Sequence, residues 1–451
     1  MIKDSVRYVT RRLGVDKSIA YSSGARVVQA FTGVASILFI AQLLTKTEQG
    51  FYYTFGSIIA IQVFFELGLT NIITQYVAHE FSHLRWKDST TLEGEQENHS
   101  RLAYLLRFSV KWYAIIGILF FIVLLGAGYW FFEYYSPADE DVIWVWPWIL
   151  VSVGTVLKLF IAPLLSILMG LERVKDVMKM QFYQQIIIPL TSWLGLALGF
   201  KLYVLGISTL LSIIYVAIYC FSSDLAPILK KLWKVKITHR VSYMKEIFPF
   251  QWKIALSWVS GYFIFQLFNP VLFATEGAVV AGQMGMTLAA LNGIMAFSQS
   301  WITTKVPLWS KLIALKDYVQ LDKIFATTMK QVSVVCLALI AIFVAGVWGL
   351  RVLDFKLGYR FLPWLPLVFM LIPLFINQWV NGWATYLRCH KREPFLINSI
   401  AGGILCCLST VILGKLYGVI GMTAGYCAIT VTFSFWGYHI YRTCKLAWHG
   451  K

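Results

Sequence analysis

Glu66, Asn71 and Gln75 stand inside the apolar run GFYYTFGSIIAIQVFFELGLTNIITQYVAHEFSHL, from Gly50 to Leu84. A charge at the centre of a membrane-spanning helix costs roughly 2.5–3.5 kcal/mol on insertion scales. Such a group persists where it faces a cavity, a partner or a substrate. Glu66 lies about 24 Å along its helix at 1.5 Å per residue, too deep for a short carboxylate to reach water by bending. Its chemistry is that of a proton or cation coupling site, or of a structural carboxyl kept neutral or paired. Asn71 and Gln75 are four residues apart and share one helix face. They are candidate substrate contacts, or hydrogen-bonding glue between helices.

The same stretch ends in His79-Glu80-Phe81-Ser82-His83. Two histidines at i and i+4 can bind zinc, with the glutamate as general base. A catalytic zinc also needs a third protein ligand. The later apolar segments supply no acidic residue, so an intramembrane zinc protease is a remote alternative and no metal is expected.

Three cations lie in or near apolar runs. Lys158 sits mid-span between Pro147 and Pro163. Prolines there free backbone carbonyls and bend a spanning helix, which fits a wet cavity. Lys158 is a candidate anion contact, or one half of a structural pair with Glu66. Arg26 and Lys253 open the first span of each half, where long side chains reach the interface. With Lys158 they would form a cationic patch. Asn377, Gln378 and Asn381, and the polar residues of 277–304 (Gln283, Thr287, Asn292, Ser298, Gln299), form further stripes. They suit either sugars or helix packing.

The elements that must position these groups are membrane helices. The 451 residues are 58% hydrophobic and 14% charged, with mean hydropathy +0.68. Repeated apolar runs of about 20 residues mark an all-α polytopic membrane protein. Twelve spans are expected: 22–44, 50–77, 109–132, 142–170, 179–199, 203–222, 248–272, 277–304, 331–353, 362–386, 395–413 and 418–441. Residues 1–18 are charged, with no small-residue cleavage site, and are expected as a cytoplasmic lead-in. Of the 39 Lys and Arg residues, 32 fall on one side of this topology and 6 on the other. That bias places both termini in the cytoplasm. It accounts for the net charge of +17 without a nucleic-acid partner, although attraction to anionic lipid would draw on the same charges. The seven cysteines form no CxxC and read as small core residues.

The basic stretch 223–247 falls mid-chain and is expected to be an interfacial linker between six-helix halves, 1–222 and 248–451. Short repeats support duplication. Thr47-Glu-Gln-Gly50 answers Thr275-Glu-Gly277, and Lys201-Leu-Tyr answers Lys415-Leu-Tyr.

Several of these motifs together resemble the Wzx-type polysaccharide (O-antigen) flippases of the multidrug/oligosaccharidyl-lipid/polysaccharide exporter superfamily. They are Gly50-Phe-Tyr-Tyr, Phe65-Glu-Leu-Gly-Leu69, Gly170-Leu-Glu-Arg173 and Lys305-Val-Pro307, within twelve spans in two halves. The family often has aspartate where Glu66 stands. The resemblance implies two six-helix bundles around a central cavity. It also implies alternating-access transfer of an undecaprenyl-pyrophosphate-linked oligosaccharide across a bacterial inner membrane, for surface polysaccharide. Arg26, Lys158, Lys253, Asn71 and Gln75 would then contact the substrate, and Glu66 would couple to proton or sodium. No cofactor is expected. The main alternative is a multidrug or cation antiporter of the same superfamily, for which an acidic cavity would be favoured. A polymerase or glycosyltransferase would need a sizeable outer loop that this chain lacks.

Overall fold

This computed structural model describes residues 28–449, apart from 29–30, 34, 137–141, 240 and 391. Nearly all of them are helical. The elements are α1 (Lys46–Ile59), α2 (Gln62–Glu66), α3 (Leu69–Phe81), a hairpin of β1 (Leu84–Trp86) and β2 (Leu92–Gly94), and α4 (Gln96–Val123). A π turn at Leu124–Gly128 carries α4 on into Tyr129–Tyr135. Then come α5 (Val145–Gly170), α6 (Val174–Ala197), α7 (Tyr203–Ser222) and the short α8 (Leu225–Lys234). The remainder are α9 (Phe248–Phe265), α10 (Phe268–Glu276), α11 (Ala278–Ala314), α12 (Tyr318–Val352), α13 (Trp364–Arg388) and α14 (Leu396–His449). Seven helices among the described residues are long and apolar enough to cross a membrane, or eight if the bent α1–α3 segment is one span. The chain is a multi-pass membrane protein. Each expected span from 50–77 onward coincides with a helix, a broken helix pair, or one arm of α14, which turns at Gly418 (φ 58°), whereas the first, 22–44, lies partly outside the described residues.

The chain forms two compact units. Residues Ile61–Tyr134 and Ile143–Ala255 belong to the first. Gly33–Ala60 and Leu256–Lys451 belong to the second. Sequence reading put 33–60 in the N-terminal half and set the boundary at an interfacial linker, 223–247. In the structure 33–60 packs with the second unit, and 223–247 is fastened to the first.

Small residues explain how α1 joins the second unit. It packs on α11 through Gly50, whose added Cβ would stand 1.9 Å from the Ala278 carbonyl oxygen. A Cβ on Gly282 would meet the Gly50 backbone nitrogen at 2.9 Å, and one on Gly285 would meet Tyr53 Cβ at 2.3 Å. Ala278, Gly282, Ala281 and Gly285 thus form overlapping small-xxx-small pairs, the pattern that lets membrane helices approach closely. Thr45 and Glu48 close a capping box at the start of α1. Gln49 Nε2 donates to the Gly282 carbonyl at 2.7 Å, and Arg360 donates to the Leu44 carbonyl at 2.6 Å and to Gln49 Oε1 at 3.2 Å. Deeper in this seam, the Asn269 amide donates to Ser57 Oγ at 3.0 Å.

The 223–247 segment is fastened at the basic end of the first unit. α8 buries Leu225, Ile228 and Leu232 and turns its lysines outward, as an interfacial amphipathic helix does. Lys231 Nζ donates to the hydroxyls of Thr90 and Thr91 in the hairpin loop, both at 2.6 Å. Arg107 donates to the carbonyls of Trp233 and Val235. Ser100 Oγ accepts the backbone N–H groups of Thr238 and His239 at 2.7 and 2.8 Å. In the same loop the Asp88 carboxyl is lowered to about 2, chiefly by hydrogen bonds from Thr90 and Thr91. That holds the turn which presents Thr90 and Thr91 to Lys231.

Candidate functional site

The helix that carries Glu66 breaks directly after it. Leu67 and Gly68 both adopt left-handed backbone, with φ 49° and 69°, and the segments on either side bend by 42°. Glycine takes this conformation freely, whereas leucine pays roughly 1–2 kcal/mol for it. Broken helices at mid-membrane depth are tolerated where backbone is buried in protein or lines a cavity. They are also where transporter folds place their ion and substrate sites.

Local hydrogen bonds fix the carboxylate. Thr70 Oγ1 donates to Glu66 Oε1 at 2.6 Å, and Gln62 Nε2 approaches Oε2 at 3.4 Å. Beyond the break, α3 is amphipathic. Leu69, Ile72, Ile73 and Val77 are buried against α4 and α5, while Asn71 and Gln75 lie exposed on the other face. The close α3–α5 contact requires Gly170, where a Cβ would strike Val77 and the Thr74 carbonyl. Thr74 Oγ1 donates to the Ser166 carbonyl across it at 3.2 Å. That explains the glycine of the Gly170-Leu-Glu-Arg173 motif. Its arginine stacks over Trp86 at 4.8 Å and donates to the Ser89 carbonyl.

Lys158 of α5 keeps accessible surface and lies within electrostatic reach of Glu66. Tyr113 of α4 completes the group. It is fully buried, and its hydroxyl lies beside Thr70 in the field of Glu66. Sequence reading missed Thr70 and Tyr113. The spacing of a hydroxyl four residues after Glu66 was the available sign of the first; nothing local marked the second.

The other expected site residues are distributed differently. Arg26 lies outside the described residues, and Lys253 lies in α9 with its side chain outside them. Several members of the polar stripes of the second unit are buried, namely Thr287, Ser298 and Gln378. Thr287 Oγ1 accepts the Leu362 N–H at 3.1 Å, and Asn377 donates to the Tyr426 hydroxyl at 3.1 Å.

The His79-Glu80-x-x-His83 pattern forms no metal site. Glu80 is 2% exposed. It accepts from Arg101 Nε at 2.8 Å and from Asn98 at 2.9 Å. A general base must be free to take a proton, and this carboxylate is committed. No cluster of three or more metal-ligating side chains occurs among the described residues. Arg101 continues to Glu246 Oε2 at 2.8 Å, and Glu246 Oε1 accepts the Ser242 N–H at 2.7 Å. Burial raises the Glu246 carboxyl, but the Ser242 N–H and Arg101 outweigh it and hold it below its ordinary value. A depressed carboxyl stabilises the fold above its unfolded pKa, and that contribution is lost as pH falls through the folded one. Acidification below about pH 4 is therefore expected to loosen the turn at 242–247, read as faster amide exchange there. Arg101→Ala leaves Glu80 buried without its partner and is expected to cost about 3–5 kcal/mol, read in thermal unfolding.

Solved structures of similar fold span nearly the whole chain. An inward-facing multidrug resistance MATE-family transporter of the MOP superfamily aligns with TM-score 0.63 and 14% identity, over 95% of this chain and 99% of its own. The MATE multidrug transporter DinF-BH aligns with TM-score 0.56 and 12% identity, over 94% of each chain. A MOP-superfamily transporter from Pyrococcus furiosus, described by the reverse polarity of its binding pocket, aligns with TM-score 0.54 and 15% identity, over 96% and 97%. All three are described as transporters, and the fold of this chain is theirs. No protein-family model matches the sequence, and no curated protein matches it.

Proposed function

We propose that this protein is an alternating-access transporter whose cargo carries an anionic head group, and that the cargo is a lipid-linked (undecaprenyl-pyrophosphate) oligosaccharide of surface polysaccharide synthesis. The observation that carries this reading is Lys158, an accessible cation midway along the apolar helix α5 and within electrostatic reach of Glu66. Its neighbour Glu66 is already hydrogen-bonded to Thr70. Asn71 and Gln75 add open amides for sugar hydroxyls. In this reading Glu66 couples to proton or sodium by releasing Lys158 on protonation or cation binding. The membrane is the bacterial inner membrane, with both termini cytoplasmic.

A second reading is multidrug or cation antiport, with Glu66 as the acidic contact. The likeness to structures described as multidrug transporters favours it. Reconstitution separates the two. Proteoliposomes are expected to move a fluorescent undecaprenyl-pyrophosphate oligosaccharide between leaflets and not to accumulate a cationic dye. Gradient-driven dye transport with no movement of the lipid-linked sugar would overturn the anionic reading in favour of antiport.

A further inference from the structure

Apart from the Glu66–Lys158 group, the first unit holds a cavity of about 410 Å³ at the basic end of α4. It is lined by Tyr104, Arg107, Phe108, Lys111, Trp112 and Ile237. Tyr104, Phe108 and Trp112 recur every four residues and form a stacked ladder, with centroids 6.1 and 6.0 Å apart. Tyr243 backs the ladder at 5.6 Å from Phe108 and 5.7 Å from Trp112. Arg107 is bonded to backbone at the end of α8, and the Tyr243 hydroxyl donates to Gln251 at 2.7 Å. Lys111 is exposed and makes no hydrogen bond or ion pair among the described residues.

From Ile115, which also lines the cavity, the same helix continues with Ile118, Leu119 and Ile122, all four more than half exposed. An unpartnered apolar stripe on a spanning helix is the surface that acyl chains cover. The stripe runs down to two cations and an aromatic ladder, at the level where aromatic and basic residues meet head groups.

We propose that this cavity is a binding site for an anionic phospholipid. Its phosphate is held by Lys111 and Arg107, its glycerol backbone lies along Tyr104 and Phe108, and its chains follow Ile115 to Ile122. The second unit offers an internal contrast. A groove of about 440 Å³ there is lined by Trp379, Trp383, Tyr441, Lys330 and Lys445, but Asp322 neutralises Lys445 at 2.9 Å. That groove has the aromatic walls without the same excess of positive charge. The inference is independent of the cargo proposed above, since it needs only that α4 spans a membrane.

The test is native mass spectrometry of the full chain, titrated with phosphatidylglycerol or with phosphatidylcholine of the same acyl chains. Phosphatidylglycerol is expected to be retained preferentially. Lys111→Glu is expected to weaken its retention about fivefold or more, the scale of one basic residue near an anionic surface. Lys330→Glu, the same charge change at the second groove, should leave retention within about twofold on that scale. Millimolar inorganic phosphate should not displace the lipid. Equal retention of both lipids, equal losses from both variants, or displacement by free phosphate would each overturn the proposal. Both lysines are exposed, so neither variant threatens folding.

Discussion

Lys158→Ala is expected to abolish movement of a pyrophosphate-linked cargo while the protein still reaches the membrane. Truncating a charged partner in a desolvated site costs about 2–5 kcal/mol, or roughly 30-fold or more in affinity. The physical reason is local: the amine interacts with Glu66, and a bound phosphate would take the place of that carboxylate. Glu66→Gln should therefore leave cargo binding intact or tighter and remove dependence on a proton or sodium gradient. The double variant Glu66→Gln/Lys158→Met separates a transport role from a structural pair. If it restores flipping in a reconstituted assay, the two residues are only a buried ion pair and the anionic-cargo mechanism fails.

Gly50→Ala is the second large effect. A methyl group there would stand 1.9 Å from the Ala278 carbonyl oxygen and 2.5 Å from its carbon. Backbone cannot yield as a flexible side chain does, so α1 and α11 must separate. Overpacking typically costs 1–3 kcal/mol, and the top of that range, about 3 kcal/mol, is expected. Gly56→Ala on the same helix meets no atom within 4 Å and should leave stability unchanged or raise it by up to about 1 kcal/mol. Thermal unfolding of both variants in one detergent reads the difference. Equal destabilisation by the two would mean that the glycine seam is not what joins these helices.

The spans were legible because lipid leaves so little freedom: long apolar runs and their positions along the chain were enough to place those from 50–77 onward on helices. Glu66 and Lys158 were legible as misfits in those runs, and the structure brings them within electrostatic reach of one another. The break at Leu67–Gly68 was not legible. Glycine is common in membrane helices, and a left-handed leucine leaves no compositional trace. The partners of Glu80 were not legible, because its pattern is local whereas Arg101 and Glu246 stand 21 and 166 residues further along. The destination of α1 was hidden for the same reason. Nothing near Gly50 says that its partner is the carbonyl of Ala278.

The chain passes from the second unit to the first between Ala60 and Ile61, so a cut at the mid-chain linker separates α1 from the helix it packs on. A fragment beginning at Phe248 would expose the grooved side of α11 to lipid, with nothing of its own to fill it.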